Sequence, residues 1–128
     1  VVSARLADDD DGQIERRARD AERYVAEVWL AGRAPTVWIN RAAEQYIDYD
    51  ILYDDVAYDV KSCLRHHEWV IGGSTRPTTR AIVVLIDDDG TAQVIGSVAV
   101  QQWTRVVPWE GARECWAVHR DDLAEVWP

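Results

Sequence analysis

Apolar residues at Ile14, Ala18, Ala21, Val25, Val28 and Trp29 recur at mostly three- and four-residue intervals, and that period predicts an amphipathic helix over 14–31, stopped by Gly32. Downstream the pattern changes to short β-branched and Tyr-rich runs. PTVWIN (35–40) predicts a strand, and 41–45 a helical turn. YDILY (49–53) and VAYDVKS (56–62), parted by Asp54 and Asp55, predict a hairpin. Residues 63–80 contain Gly72, Gly73 and Pro77 and read as a loop. AIVVLI (81–86) and AQVIGSVAV (92–100), joined by DDDGT, predict a second hairpin, and HRDDLAEVW (119–127) a short final helix. Residues 1–12 read as a flexible acidic arm ending at Gly12, and 13–128 as one domain. This order predicts an α+β domain with a mixed β-sheet flanked by an N-terminal helix.

Composition agrees with a single packed domain. The chain has 128 residues, nearly half of them apolar, with seven Trp and five Tyr supplying bulk in the absence of Phe and Met. No apolar run approaches the about 18 residues of a membrane span, and no charged start leads into an apolar stretch, so a soluble, cytoplasmic protein is expected. Cys63 and Cys115 have neither metal-ligand spacing nor a disulfide framework and read as buried thiols. Charge is less neutral as a guide. With 23 acids against 14 bases the net charge is −9, whereas proteins that bind by neutralising phosphates usually present a basic stripe. The acids cluster at 8–11, 48–59 and 87–89, the first and last reading as a solvated tail and turn. Arg16, Arg17, Arg19 and Arg23 gather on the first helix and keep a local basic surface available.

One residue stands apart from this distribution. Lys61 is the only lysine, every other fixed positive charge being arginine, and it lies in YDILYDDVAYDVKSC. On a strand Asp59 and Lys61 project to one face while Val60 points to the other, and a hairpin partner brings Asp50 near them. Converging carboxylates repel unless a proton or cation intervenes, and their hard oxygens suit Mg²⁺ or Mn²⁺. An ammonium beside such a site can orient or help deprotonate a water, which a guanidinium that keeps its proton cannot.

Asp50, eight residues, then Asp59-Val60-Lys61 resembles the D…(D/E)-x-K signature of the PD-(D/E)xK nuclease superfamily. AERYVAEVWLAG (21–32) is similar to the family's first helix, whose acidic residue falls on Glu22. AIVVLI, VIGSVAV and Trp103 look like the sheet-completing strands of its smaller members, so the resemblance covers 14–103. Tyr49 and Ala21 stand where Pro and Gly are common, and 63–80 reads as a loop where the family usually has a helix. The resemblance implies a restriction-endonuclease-like core and a metal-dependent deoxyribonuclease. It implies Asp50, Asp59 and the Val60 carbonyl as metal ligands for Mg or Mn, and Lys61 and Glu22 as catalytic residues. Arg65, Trp69 and Arg76 are the expected DNA contacts, and DNA the partner.

Other readings of the same residues remain open. Asp48 shares the strand face of Asp50 and is a rival ligand. Lys61 can be an ion-pair partner of Asp59 or Asp50 in an ordinary exposed hairpin, and Glu22 a helix-surface acid paired with Arg19 or Arg23. His66-His67-Glu68 lacks zinc spacing, and Cys115 with His119 lacks an orienting third group, so both read as structural. Trp38, Trp69, Trp103, Trp109 and Trp116 read as core and rim, Trp69 being the one exposed candidate for base stacking. Two non-catalytic functions also fit: a nuclease-fold binding or assembly module, and an acidic DNA mimic. The acidic charge fits a homodimer or a larger protein complex. A mimic should spread its acids over an exposed face, and a nuclease should gather them in one cleft.

Overall fold

In the computed structural model, which describes residues 16–30, 36–38, 49–53 and 55–125, the first helix, α1, occupies 16–29 and is capped by Leu30. Its packing face departs from the α-helical period for a local reason. Residues Tyr24–Trp29 form a π-helical stretch, and Leu30 N–H donates to Val25 O at 2.9 Å, a step of five residues. Ala21 and Val25 are therefore followed on the buried face by Leu30, while Val28, expected on that face, is 65% exposed. The predicted acidic arm, the turn at 41–45, Gly32 and Asp48 lie outside the described residues.

Among the described residues eight strands form two sheets. β1 (Thr36–Trp38), β2 (Ile51–Tyr53), β3 (Val56–Leu64), β5 (Arg80–Ile86) and β6 (Ala92–Val98) make a five-stranded sheet in the order β1-β2-β3-β5-β6. β3 and β5 run parallel and the other pairs antiparallel, so the sheet is mixed, as expected. β4 (Trp69–Gly73), β7 (Thr104–Val106) and β8 (Cys115–His119) form a second, antiparallel sheet in the order β4-β8-β7.

Three expectations are corrected here. The stretch 63–80 is not a loop: β3 continues to Leu64, and β4 occupies Trp69–Gly73. Its glycines sit at the end of β4, where Gly73 takes a φ of 119° and the register slips. The final helix is reduced to a 3₁₀ turn over Arg120–Asp122, after which Ala124 bridges to Ser97. A backbone pairing thus takes the groups that a helix would have used. Cys63 is buried, but Cys115 is only half-buried.

Side-chain alternation makes the five-stranded sheet the middle of three layers. Tyr58, Val60, Ile82 and Val84 pack with Ala21, Val25 and Leu30 of α1. Cys63, Ala81, Val83 and Leu85 face the other way, onto Val70, Val118 and Trp103. Each such buried aliphatic contributes about 1.5–3 kcal/mol relative to exposure. The parallel β3–β5 pair requires a crossover, and β4 lies in it, so the crossover supplies the third layer in place of a helix. Among the described residues no helix is long and apolar enough to cross a membrane.

Gly72 fixes how closely β4 approaches the core. A Cβ there would lie 2.9 Å from Trp103 ring carbons and 2.9 Å from Pro77 Cγ. Gly72→Ala is therefore expected to cost about 1–3 kcal/mol by overpacking, read as a lower urea midpoint at unchanged m-value; an unchanged midpoint would show that the two rings can move aside.

Candidate active site

The site begins where β2 leaves β3. Their antiparallel register ends at Ile51 opposite Tyr58, and Asp50 N–H closes it by donating to Tyr58 O at 3.0 Å. Two residues on, Val60 N–H is met by a side chain: Asp50 Oδ2 accepts from it at 2.8 Å. N–H and C=O of one strand residue leave the same side of the strand. The Val60 carbonyl therefore faces the gap left by β2, opposite β5. Asp50 stands just before β2, not within it, and this bend lets its carboxylate reach across to β3.

The pleat then separates Val60, buried against α1, from Asp59 and Lys61 on the face toward the second sheet. All of them nevertheless border one cleft of about 570 Å³, which Glu22 enters from α1 and Arg76 from the segment after β4. Glu22, Asp50 and Asp59 are only 5%, 6% and 8% exposed. Three buried carboxylates on one cleft carry both a desolvation cost and mutual repulsion. Cations offset part of it. Lys61 Nζ lies 3.8 Å from Asp59 Oδ2 and donates to Gly72 O at 3.4 Å, and Arg19 Nη1 lies 3.8 Å from Glu22 Oε1. Lys61 thus does pair with Asp59, and Glu22 with Arg19, but both pairs involve a buried carboxylate of the cleft.

The expected DNA contacts separate. Arg76 borders the cleft, donates to Val100 O at 3.2 Å and lies over the Trp116 ring. Arg65 is held elsewhere: its Nε bonds Asp87 Oδ1 at 2.6 Å in the β5–β6 turn, which raises the guanidinium pKa further. Trp69 is half-buried on β4, edge-on to His119, so it is not the exposed stacking candidate. That place belongs to Trp109, 58% exposed. In the sequence Trp109 reads as core or rim, His67 as structural and Arg17 as part of a basic helix surface, and none of them as bordering a shared cleft. The available signal was PWEG (108–111), a turn that presents Trp109 and closes at Gly111 with φ 85°.

His67 is held by its surroundings in the neutral form. Its Nδ1 accepts from Leu64 N–H at 3.3 Å, and its pKa is lowered from 6.5, first by burial and then by His66, Arg17 and Arg120. Burial pushes the Cys63 thiol up, with Arg120 opposing, so Cys63 is an unreactive core thiol.

The oxygen-only donor set of Asp50, Asp59 and the Val60 carbonyl fits a hard divalent cation. Among the described residues no three His, Cys, Asp or Glu side chains are gathered as a ready-made cage. Mg²⁺ does not require one, since it is commonly held by one or two carboxylates with waters and substrate phosphate completing its shell. No protein-family model matches the chain, and no curated protein does.

Two outcomes are expected. Asp50→Ala removes the acceptor of a buried N–H and should cost about 1–3 kcal/mol, whereas Asp50→Asn, which keeps an oxygen there, should cost much less; equal losses in chemical denaturation would remove the Val60 bond from the account. Because the folded-state pKa of His67 lies below its unfolded value, its contribution to stability is present above about pH 6.5 and lost as pH falls through the lowered pKa. Between pH 7.5 and 5 the wild type should therefore lose more stability than His67→Asn; parallel losses would exclude this ring as the source.

Proposed function

We propose that the protein is a metal-dependent phosphodiesterase of the PD-(D/E)xK nuclease type acting on DNA. The observation that carries this reading is convergence. Glu22 from α1, Asp50 from the bend before β2, and Asp59 with Lys61 from β3 border the same cleft although they belong to three elements. Acids gathered in one cleft favour this reading over a DNA mimic, whose acids should cover an open face.

Roles follow from position. Asp50, Asp59 and the Val60 carbonyl would hold Mg²⁺ or Mn²⁺, with Asp50 kept in place by the Val60 N–H it accepts from. When bound, such a cation polarises a phosphoryl oxygen and lowers the pKa of water. Lys61 positions the attacking water, its Nζ being fixed between Asp59 and the Gly72 carbonyl. Glu22 assists from the helix side, either by orienting a ligand or by serving a second cation. Hydrolysis forms a bond from water oxygen to phosphorus and breaks the ester P–O bond. The proton released by water ends on the leaving oxygen.

Calorimetry with Mn²⁺ should show a site that Asp50→Asn and Asp59→Asn each abolish; binding unchanged in both variants would refute the ligand assignment. Lys61→Arg should fold and bind metal yet lose on the order of 10²-fold or more in plasmid nicking, because a planar guanidinium misplaces the water and keeps its proton. Equal nicking by wild type and Lys61→Arg would refute the role of Lys61. Absence of nicking by the wild type in Mg²⁺ and Mn²⁺ would favour the non-catalytic module or the DNA mimic.

A further inference from the structure

The acidic cleft is one part of a longer trough. A second depression of about 410 Å³ shares Val60 and Lys61 with it and continues past Arg17 to His67, Trp69 and Trp109. Those three aromatic residues also border a third, of about 370 Å³, with His66 and Pro108. The trough therefore runs from three carboxylates, past two cations, to an aromatic cleft. Its aromatic end is the unexplained part.

That end is built rigidly. Arg120 Nη1 donates to the carbonyls of Arg65 at 2.6 Å and His67 at 3.1 Å, and Arg120 N–H donates to Glu68 O at 2.9 Å, so the 3₁₀ turn after β8 pins the turn carrying His67. Leu64 N–H fixes the imidazole. Trp69 is braced edge-on by His119, ring centroids 5.1 Å apart. Trp109 faces His67 with planes 19° from parallel and centroids 6.5 Å apart. That separation lies within the range of offset aromatic pairs, about 4.5–7 Å between centroids. Both rings border the cleft, which lies within the size range of small-ligand sites, and Trp109, 58% exposed, leaves aromatic surface open to it.

We propose that the His67–Trp109 cleft takes a nucleobase of an unpaired DNA strand whose phosphate lies in the acidic cleft; this rests on the phosphodiesterase reading above. The substrate class is then single-stranded DNA, or DNA with an unpaired segment at the cut. A base inside a duplex is already stacked on its neighbours and cannot enter sideways, whereas an unpaired one stacks on any aromatic face. Net charge points the same way. Duplex binding draws mainly on phosphate neutralisation, which a chain of charge −9 is poorly equipped to supply. Stacking needs no excess of positive charge, and Arg17 and Lys61 are placed where the strand would pass between the two clefts.

The first arm of the test uses uncharged 2′-deoxyadenosine and no metal, so it reads the aromatic cleft independently of catalysis. Titrated into the ¹⁵N-labelled full chain in EDTA, it should shift the Trp109 and Trp69 indole N–H signals saturably. In Trp109→Ala the Trp69 response should weaken about tenfold or more, and Trp109→Phe should restore most of it. No saturable shift, or a Trp69 response indifferent to Trp109→Ala, would overturn the proposal. So would a change in sedimentation on Trp109→Ala without any nucleoside response, which would assign the cleft to a second copy of the chain. The second arm compares cleavage in Mn²⁺: a single-stranded 12-mer should be cut about tenfold or more faster than its duplex, and Trp109→Ala should lose that preference. Equal rates on strand and duplex would overturn the proposal. Saturable nucleoside binding without cleavage of any DNA would support the base cleft and refute the phosphodiesterase.

Discussion

The hydrogen bond from Val60 N–H to Asp50 Oδ2, 2.8 Å long, is the point on which sheet and site both turn. A central strand must satisfy its backbone groups on both sides, and β3 loses β2 as a partner after Tyr58. Without Asp50, Val60 N–H would be an unsatisfied donor on a residue only 6% exposed. With it, the strand ends its pairing without penalty and a carboxylate is locked beside Asp59. The same parting of strands turns the Val60 carbonyl toward the cleft. One local choice in the backbone thus sets three of the four oxygen positions that have a role in the proposed site.

The fourth comes from the opposite layer. Glu22 follows Ala21, which is fully buried, and precedes Val25 by three residues, so it rides at the edge of the packing face of α1. The π-helical stretch begins two residues after it, at Tyr24. By carrying Leu30 onto the face of Val25, that stretch holds the C-terminal half of α1 against the sheet while the segment bearing Ala18 and Glu22 borders the cleft. Burial of the helix and exposure of its acid to the cleft are therefore served by one change in helical pitch.

How much of this was legible in the sequence depended on the range of the interactions. Alternation and β-branched density located β2, β3, β5 and β6 and the pairing of Asp59 with Lys61, because those features are local. The mixed sheet followed from element order. The second sheet was missed because its strands do not advertise themselves. β4 carries two glycines at its end, and β7 is three residues of TRV. They become strands because Val70, Trp103 and Val118 need a layer over Val83 and Leu85, a tertiary reason with no local signal. The C-terminal helix failed by the same logic, since pairing of Ala124 with Ser97 overrode an acceptable helical pattern. Glu22 was legible only through a helical position and a resemblance. The aromatic end of the trough was not legible, because His67 and Trp109 meet across a separation that only the fold closes.

The β4 layer also bears on why the single lysine is not an arginine. Lys61 Nζ lies between Asp59 Oδ2 at 3.8 Å and Gly72 O at 3.4 Å, and the wall behind that carbonyl is closed. A Cβ on Gly72 would already lie 2.9 Å from Trp103 and Pro77, so β4 has no slack to retreat. A compact ammonium on a flexible stem can occupy such a space with three donors free to turn. A planar guanidinium needs room for five donors in one plane and favours forked contacts with a carboxylate. It would be drawn onto Asp59 at the expense of the Gly72 carbonyl, fastening the carboxylate that the proposed cation requires. Elsewhere arginine serves as that kind of fastener, as Arg65 on Asp87 and Arg105 on Glu114 illustrate at 2.6 and 3.1 Å. In those two pairs a guanidinium ties a carboxylate down, whereas the ammonium of Lys61 would leave Asp59 available to the proposed cation.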